Sequence, residues 1–142
     1  MTELASRRVV LIRVGGRRLA VPAPHIREVF ERGLPTRLPL RSPFLLGLLP
    51  VHGRVLPLIN LAGLVREPEP DASLTLLLEL TSGVIACPVE EVLGFGEAPV
   101  PTAASATPDL LTEVALNTGQ PIALLNVAAL ERAVQAHLMS QV

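Results

Sequence analysis

HGRVLPLINLAGL, residues His52 to Leu64, lies on TGQPIALLNVAAL, residues Thr118 to Leu130, with Gly53 on Gly119 and Asn60 on Asn126, a step of 66 residues. The same step carries RLAVP, Arg18 to Pro22, onto VIACP, Val84 to Pro88. Two separate segments sharing one offset mark two copies of a single unit, and so predict a pseudo-symmetric fold.

Each copy reads as hairpin, connector, hairpin. In VVLIRVGGRRLAVP, Val9 to Pro22, two short apolar strands flank Gly15-Gly16, and glycine tolerates the positive φ that a tight hairpin turn requires. SLTLLLELTSGVIACP, Ser73 to Pro88, repeats that plan. Strands are predicted at Val9–Val14, Arg17–Pro22, Leu48–Val51, Val55–Leu61, Leu74–Leu80, Val84–Cys87, Glu113–Leu116 and Pro121–Leu125. Short, closely spaced strands with Gly and Pro turns indicate an all-β class of small barrels or sandwiches. APHIREVFE, Ala23 to Glu31, reads as a short turn-helix or a further strand, and Ser42 to Leu46 as one helical turn. REPEPDA, Arg66 to Ala72, is a polar connector between the copies, and EAPVPTAASATP, Glu97 to Pro108, a Pro/Ala-rich loop. Past Asn126, a good N-cap, Leu130, Ala133, Val134, His137 and Leu138 share one face of a C-terminal helix over about 127–139, with Glu131 near its first turn.

In Val55 to Leu61, Val55, Pro57, Ile59 and Leu61 face one way and Leu56 and Leu58 the other, and both faces are apolar. A strand that borders water on one side alternates apolar and polar residues. This one is therefore expected to be covered twice, one face filling its own barrel and the other meeting the sister barrel or a partner; Leu74 to Leu80 has the same character. Pro57 cannot donate to a ladder and marks an edge or a bulge.

Composition narrows the function. The chain has 142 residues, enough for one domain built of two small barrels, over about 9–66 and 73–130. Only 18% of residues are charged, so some apolar surface is expected to meet a partner. Aromatics are 2%, all of them phenylalanine: Phe30, Phe44 and Phe95. All twelve basic residues are arginine and the net charge is −1, which argues against a nucleic-acid face; the Arg7-Arg8 and Arg17-Arg18 doublets read as solvated hairpin positions. With one cysteine, a start that lacks the order of a signal peptide, and no apolar run long enough to span a bilayer, the expectation is a cytoplasmic protein without membrane insertion.

Cys87 sits in an apolar strand and reads as an inert buried thiol; Glu90 and Glu91 nearby would raise its pKa, and as neighbours in a strand they point apart, which excludes paired-carboxylate catalysis. His25, His52 and His137 share no metal-ligand spacing with one another or with Cys87. No helix follows Gly15-Gly16 to make a phosphate cradle. No enzyme, metal or cofactor is expected.

Gly47-Leu-Leu-Pro-Val-His-Gly53-Arg-Val-Leu-Pro57-Leu-Ile-Asn-Leu61 resembles the core motif of CheW-like chemotaxis coupling domains, G-(apolar)-(apolar)-N-(apolar)-R-G-x-(apolar)-(apolar)-P-(apolar)-(apolar)-D-L. Ala23-Pro-His-Ile26-Arg-Glu28-Val29 is similar to the family segment ending V-x-E-V, Leu38-Pro39 to its proline before a short helix, and Gly83 to Val92 to its G-(apolar)3-D-x-V-x-x-V segment. The resemblance runs from about Val9 to Leu130. It implies two pseudo-symmetric SH3-like five-stranded β-barrels packed through a hydrophobic seam. It also implies a non-enzymatic adaptor joining the cytoplasmic helical tip of a chemoreceptor to the regulatory domain of a chemotaxis histidine kinase, with Ile26, Glu28, Gly47, Leu49, His52 and Gly53 on the receptor side. Four positions depart from the family: Pro50 for its Asn, His52 for its Arg, Asn60 and Cys87 for its two Asp residues. The departures motivate a second reading, a divergent interaction module in a non-chemotactic complex, such as pilus motility, or in a self-assembled dimer.

Overall fold

A computed structural model describes residues 6–31, 44–66, 74–99 and 109–139. The first hairpin of each copy forms where the sequence places it: β1 (Ser6–Val14) with β2 (Arg17–Pro22), and β6 (Leu74–Leu80) with β7 (Gly83–Val89). Gly15 and Gly16 take φ of 61° and 85°, the left-handed pair that matches the twist of a two-residue hairpin turn. The second hairpins are β4 (Leu45–Val51) with β5 (Arg54–Ile59), and β9 (Leu111–Ala115) with β10 (Pro121–Leu125).

Two strands go beyond the eight predicted outright. β3 (Ile26–Glu31) settles the ambiguous segment after a 3-10 turn at Ala23–His25, and its alternating burial is the period of a strand with one face inward. β8 (Glu91–Pro99) runs into the segment expected to be a loop from Glu97; its two glycines and its lack of apolar alternation hide it, and pairing along β1 holds it, with a bulge at Leu11/Ile12. Residues 100–108 of that loop, 67–72 of the polar connector, and Leu38-Pro39 lie outside the described residues. The helical turn expected at Ser42–Leu46 is corrected in part: Leu45 and Leu46 belong to β4, and 42–43 lie outside the described residues.

The strands form two five-stranded sheets, in the orders β8-β1-β2-β10-β9 and β3-β6-β7-β5-β4. Exchanging each strand for its copy 66 residues away turns one order into the other. The parallel contacts obey the same exchange, Leu124 beside Ala20 in one sheet and Leu58 beside Ala86 in the other. So do the two helix entries: Asn60 N–H donates to Phe44 O at 2.7 Å and Asn126 N–H to Leu110 O at 2.8 Å. The helices that follow are α1 (Leu61–Leu64) and α2 (Val127–Met139), the second spanning the predicted C-terminal helix; Ala129 N–H donates to the capping Asn126 Oδ1 at 3.1 Å. The side chains of His137 and Leu138 lie outside the described residues.

The division expected from the repeat, one barrel over 9–66 and the other over 73–130, is corrected by the strand orders: each sheet takes strands from both copies. The connectors explain why. Val89 ends β7 opposite Leu74, and only Glu90 separates β7 from β8. For β8 to lie beside β6, as its twin β3 does, Val92 would have to reach the level of Leu78, where Ile26 pairs. That is about 13 Å along the strand and about 10 Å across two strands, beyond the ~11 Å that three residues span. The chain instead carries on into the other sheet, and the copies interlock.

Apolar residues separate into three groups that follow the two faces of each strand. On β1, Val10, Ile12 and Val14 face a central seam, and on β6 their twins Leu76, Leu78 and Leu80 face it from the other sheet. Ile59, Leu61, Leu125, Val127, Leu130 and Val134 join that seam, as do inward residues of β2 and β7. The opposite faces fill the barrels: Val9, Ala20, Ala98, Leu116, Ile122 and Leu124 in one, Leu49, Val51, Leu56, Leu58, Leu77 and Ala86 in the other. The double coverage inferred for Leu74–Leu80 is met except at exposed Glu79, whereas that inferred for Val55–Leu61 is corrected at the turn end, where Val55 is 63% exposed and Pro57 half-buried because no described element covers the outer face of the hairpin there; burial of each covered aliphatic side chain contributes about 1.5–3 kcal/mol. Cys87 is fully buried in the seam, where burial pushes its thiol pKa up to about 12. No described helix is long and apolar enough to cross a membrane.

Candidate protein-interaction site

The turn between β4 and β5 is made by His52 and Gly53, with φ of 50° and 76°. This left-handed pair lifts the imidazole to the rim of the barrel, where its side chain is 71% exposed. On β3, Ile26, Glu28 and Phe30 point inward, and Glu28 reaches that rim. Its carboxylate meets His52 Nε2 at 2.9 Å and 3.3 Å through its two oxygens. Two residues 24 apart in sequence, both on the expected contact surface, are therefore brought together, and they tie the two edge strands of their sheet, β3 and β4, to each other at the turn. In the sister sheet the equivalent edges, β8 and β9, are tied by backbone: Asn117 N–H donates to Glu97 O at 2.8 Å.

The other expected contact residues lie differently. Gly53 is exposed in the turn beside the pair. Ile26 is half-buried and packs against the seam at a bulge before Glu28. Gly47 is buried at the bulge that opens β4, and Leu49, 2% exposed, faces the barrel interior. Leu49 and Gly47 are thus buried within the sheet rather than displayed at the rim. The β4 residues that do face outward are Leu48 and Pro50, paired across the hairpin with Pro57 and Val55. The sequence separates the two faces of β5 without saying which is outward, and the contact residues of β4 come from the resemblance alone, which does not show which of them face inward.

Charged pairs elsewhere keep the internal symmetry at one member only, with its sign reversed. Arg13 on β1 meets Glu91 at 2.8 Å; its twin Glu79 on β6 meets Arg27 at 3.4 Å, and His25, the twin of Glu91, places Nδ1 3.2 Å from the Glu79 carbonyl. All are exposed, and such pairs are worth about 0–1 kcal/mol each. Each first-hairpin turn is also held by a glutamate. Glu90 accepts Gly16 N–H at 2.8 Å, while Glu131 of α2 accepts Thr81 N–H at 2.8 Å, Ser82 N–H at 3.2 Å and the Thr81 hydroxyl. The Thr81 hydroxyl bond holds the Glu131 carboxyl below its ordinary range, and with the remaining Thr81 and Ser82 bonds it outweighs the opposing effect of burial. Phe95, 73% exposed on β8, stands over an open hollow bordered by Arg8, Glu97, Asn117 and Thr118. Among the described residues no three His, Cys, Asp or Glu side chains gather as a metal site requires.

Comparison with known proteins agrees with this architecture. The chain is similar in structure to a scaffolding protein, TtCheW from Thermoanaerobacter tengcongensis, with a TM-score of 0.66 over 86% of this chain and 90% of that one, at 16% sequence identity. No curated protein matches the sequence. The family described as CheW-like domain matches over residues 8–135. That match spans nearly every element above, and the chain belongs to the CheW-like domain family, whose members are non-enzymatic scaffolds.

Proposed function

We propose that this protein is a cytoplasmic scaffold that couples the helical tips of chemoreceptors to the regulatory domain of a chemotaxis histidine kinase. The observation that carries the proposal is the His52–Glu28 pair on an exposed hairpin rim, since these are two of the residues that the family resemblance marks as receptor contacts. With His52 in place of an arginine, the pair is fully charged only while the imidazole is protonated, so partner choice or coupling strength differs from that of an arginine-bearing relative. Calorimetric titration of the protein with the kinase regulatory domain and with a receptor tip fragment from the same organism tests this. Binding of both is expected, with Glu28→Ala and His52→Ala weakening the tip. Absence of binding by the unaltered protein at high micromolar concentration refutes it.

A further inference from the structure

The rims of the two barrels are closed by different chemistry. The first and last strands of each sheet, β3 and β4 in one and β8 and β9 in the other, are edges that no ladder joins. At the second rim the gap is spanned by backbone, Asn117 N–H to Glu97 O at 2.8 Å. At the first it is spanned by side chains, with the Glu28 carboxylate of β3 at 2.9 Å and 3.3 Å from Nε2 of His52 in the β4–β5 turn. The residues 66 positions along, Gly94 and Thr118, include no acid and no base, so the second rim has no counterpart of this pair. The turn that presents His52 also holds it at φ 50°, a conformation disfavoured for a residue with a Cβ.

We propose that the His52–Glu28 pair is a proton-operated clasp, which holds β3 to the β4–β5 turn while the imidazole is charged and loosens as that charge is lost. Imidazoles change charge between about pH 5 and pH 8, whereas carboxylates stay ionised above about pH 5. Within that window the acid half of the pair is constant, and the proton on the imidazole sets the strength of the tie. The contribution is therefore full on the acid side of the window and is lost as pH rises through it. The surrounding charges leave this direction unchanged. Arg27 and Glu31 alternate with Glu28 along β3 and lie on its exposed face, and the one charged residue of β6, Glu79, is engaged by Arg27. β4 has no ionisable side chain, and on β5 the one charge is Arg54, which persists throughout the window. The other described histidine side chain, His25, faces the Glu79 carbonyl instead. With His52 71% exposed the pair is a surface one, so the clasp is graded, changing an equilibrium by about twofold to fivefold. The backbone bond of the second rim has no proton to lose and serves as a control inside the same molecule.

The test uses the full chain at about pH 5.5 and about pH 8, the two sides of the window. Urea denaturation compares the unaltered protein with Glu28→Gln, which keeps the shape of the side chain and removes its charge. The substitution is expected to raise the unfolding constant about twofold to fivefold at the lower pH and less than about 1.5-fold at the higher. In a His52→Arg background, where the cation persists, its cost should be the same at both. Backbone NMR relaxation gives the local readout: the His52–Gly53 turn should be more mobile at the higher pH, while the Thr118–Gly119 turn stays the same. An equal cost of Glu28→Gln at both pH values in the unaltered background, or a His52–Gly53 turn whose mobility ignores pH, overturns the clasp. The consequence for a partner rests on the coupling function proposed above. A closed rim is a pre-organised contact surface, so a receptor-tip fragment should bind about twofold to fivefold tighter at the lower pH, and His52→Arg should remove the difference. Tip affinity that ignores pH overturns this regulation. If the denaturation and relaxation results hold and the unaltered protein binds no tip at either pH, the coupling function fails and the clasp stands.

Discussion

Leu78→Ala tests the interlocked topology most directly. Leu78 is fully buried in the seam, on a strand flanked by β3 and β7, and its twin Ile12 is equally buried in the other sheet. Truncation removes most of a packed aliphatic side chain where both sheets wall the space, so little collapse is available. A cost of about 3 kcal/mol within the ~2–5 kcal/mol range for buried Leu→Ala is expected. At roughly 2–4 °C per kcal/mol for a chain near this size, the melting temperature should fall by about 6–12 °C. Because every sheet needs strands from both copies, the loss should be shared by the whole molecule in one transition. The chain has no Trp or Tyr, so far-UV circular dichroism in urea, joined to hydrogen exchange resolved by segment, is the suitable assay. A single transition with unchanged urea slope is expected, and amides of β1, β2 and β10 should lose protection together with those of β6 and β7. Two transitions, or lost protection confined to the β3-β6-β7-β5-β4 sheet, would refute the reasoning.

Glu131→Gln should lower stability at neutral pH, and the difference from the unaltered protein should close under acid. A carboxyl whose folded pKa is depressed contributes stability that is present above its unfolded value, near 4.5, and is lost as pH falls through the folded value, so melts between pH 7 and pH 3 are the check. Cys87 should resist iodoacetamide in the native protein at pH 8 and react once urea unfolds it, because its thiol is buried and its pKa stands at about 12; labelling of the native state as fast as of the unfolded one would contradict the buried seam. Gly53→Ala should cost about 1 kcal/mol in chemical denaturation: no neighbour lies within 4 Å of the added methyl, leaving only the strain of φ at 76°. Glu28→Ala should change stability by less than about 1 kcal/mol, because the pair it breaks is exposed, so that any larger effect on partner binding reports the contact itself.

Much of the fold was legible because local rules and repetition agree. Gly15-Gly16 and His52-Gly53 mark turns by their conformational needs, and Asn126 marks the start of α2 by its capping chemistry. The step of 66 residues shows which segments are alike. It does not say which segments pair, and that was settled by the single residue between β7 and β8, a matter of reach that the pattern of side chains does not express. β8 stayed hidden for a similar reason, being an edge strand made by its neighbour β1 rather than by its own composition. At the candidate site, the motif marks Glu28, His52 and Gly53, and the structure places all three at one rim. Gly47 and Leu49 could not be placed: a bulge at Leu45/Gly47 sets which residues of β4 look inward, and a strand with apolar residues on both faces gives no sign of that choice.

The exchange of hairpins between halves also bears on how such a molecule tolerates being cut. A polypeptide carrying only the first half would hold β1 to β5 yet complete neither sheet, since each requires three strands from one half and two from the other or the reverse. Two such fragments supplied in trans could each donate what the other lacks, giving a symmetric pair in which the covalent join between copies is dispensable. The single chain is in this sense a dimer whose members happen to be tethered, and a nick in the tether should leave an assembly that still melts as one.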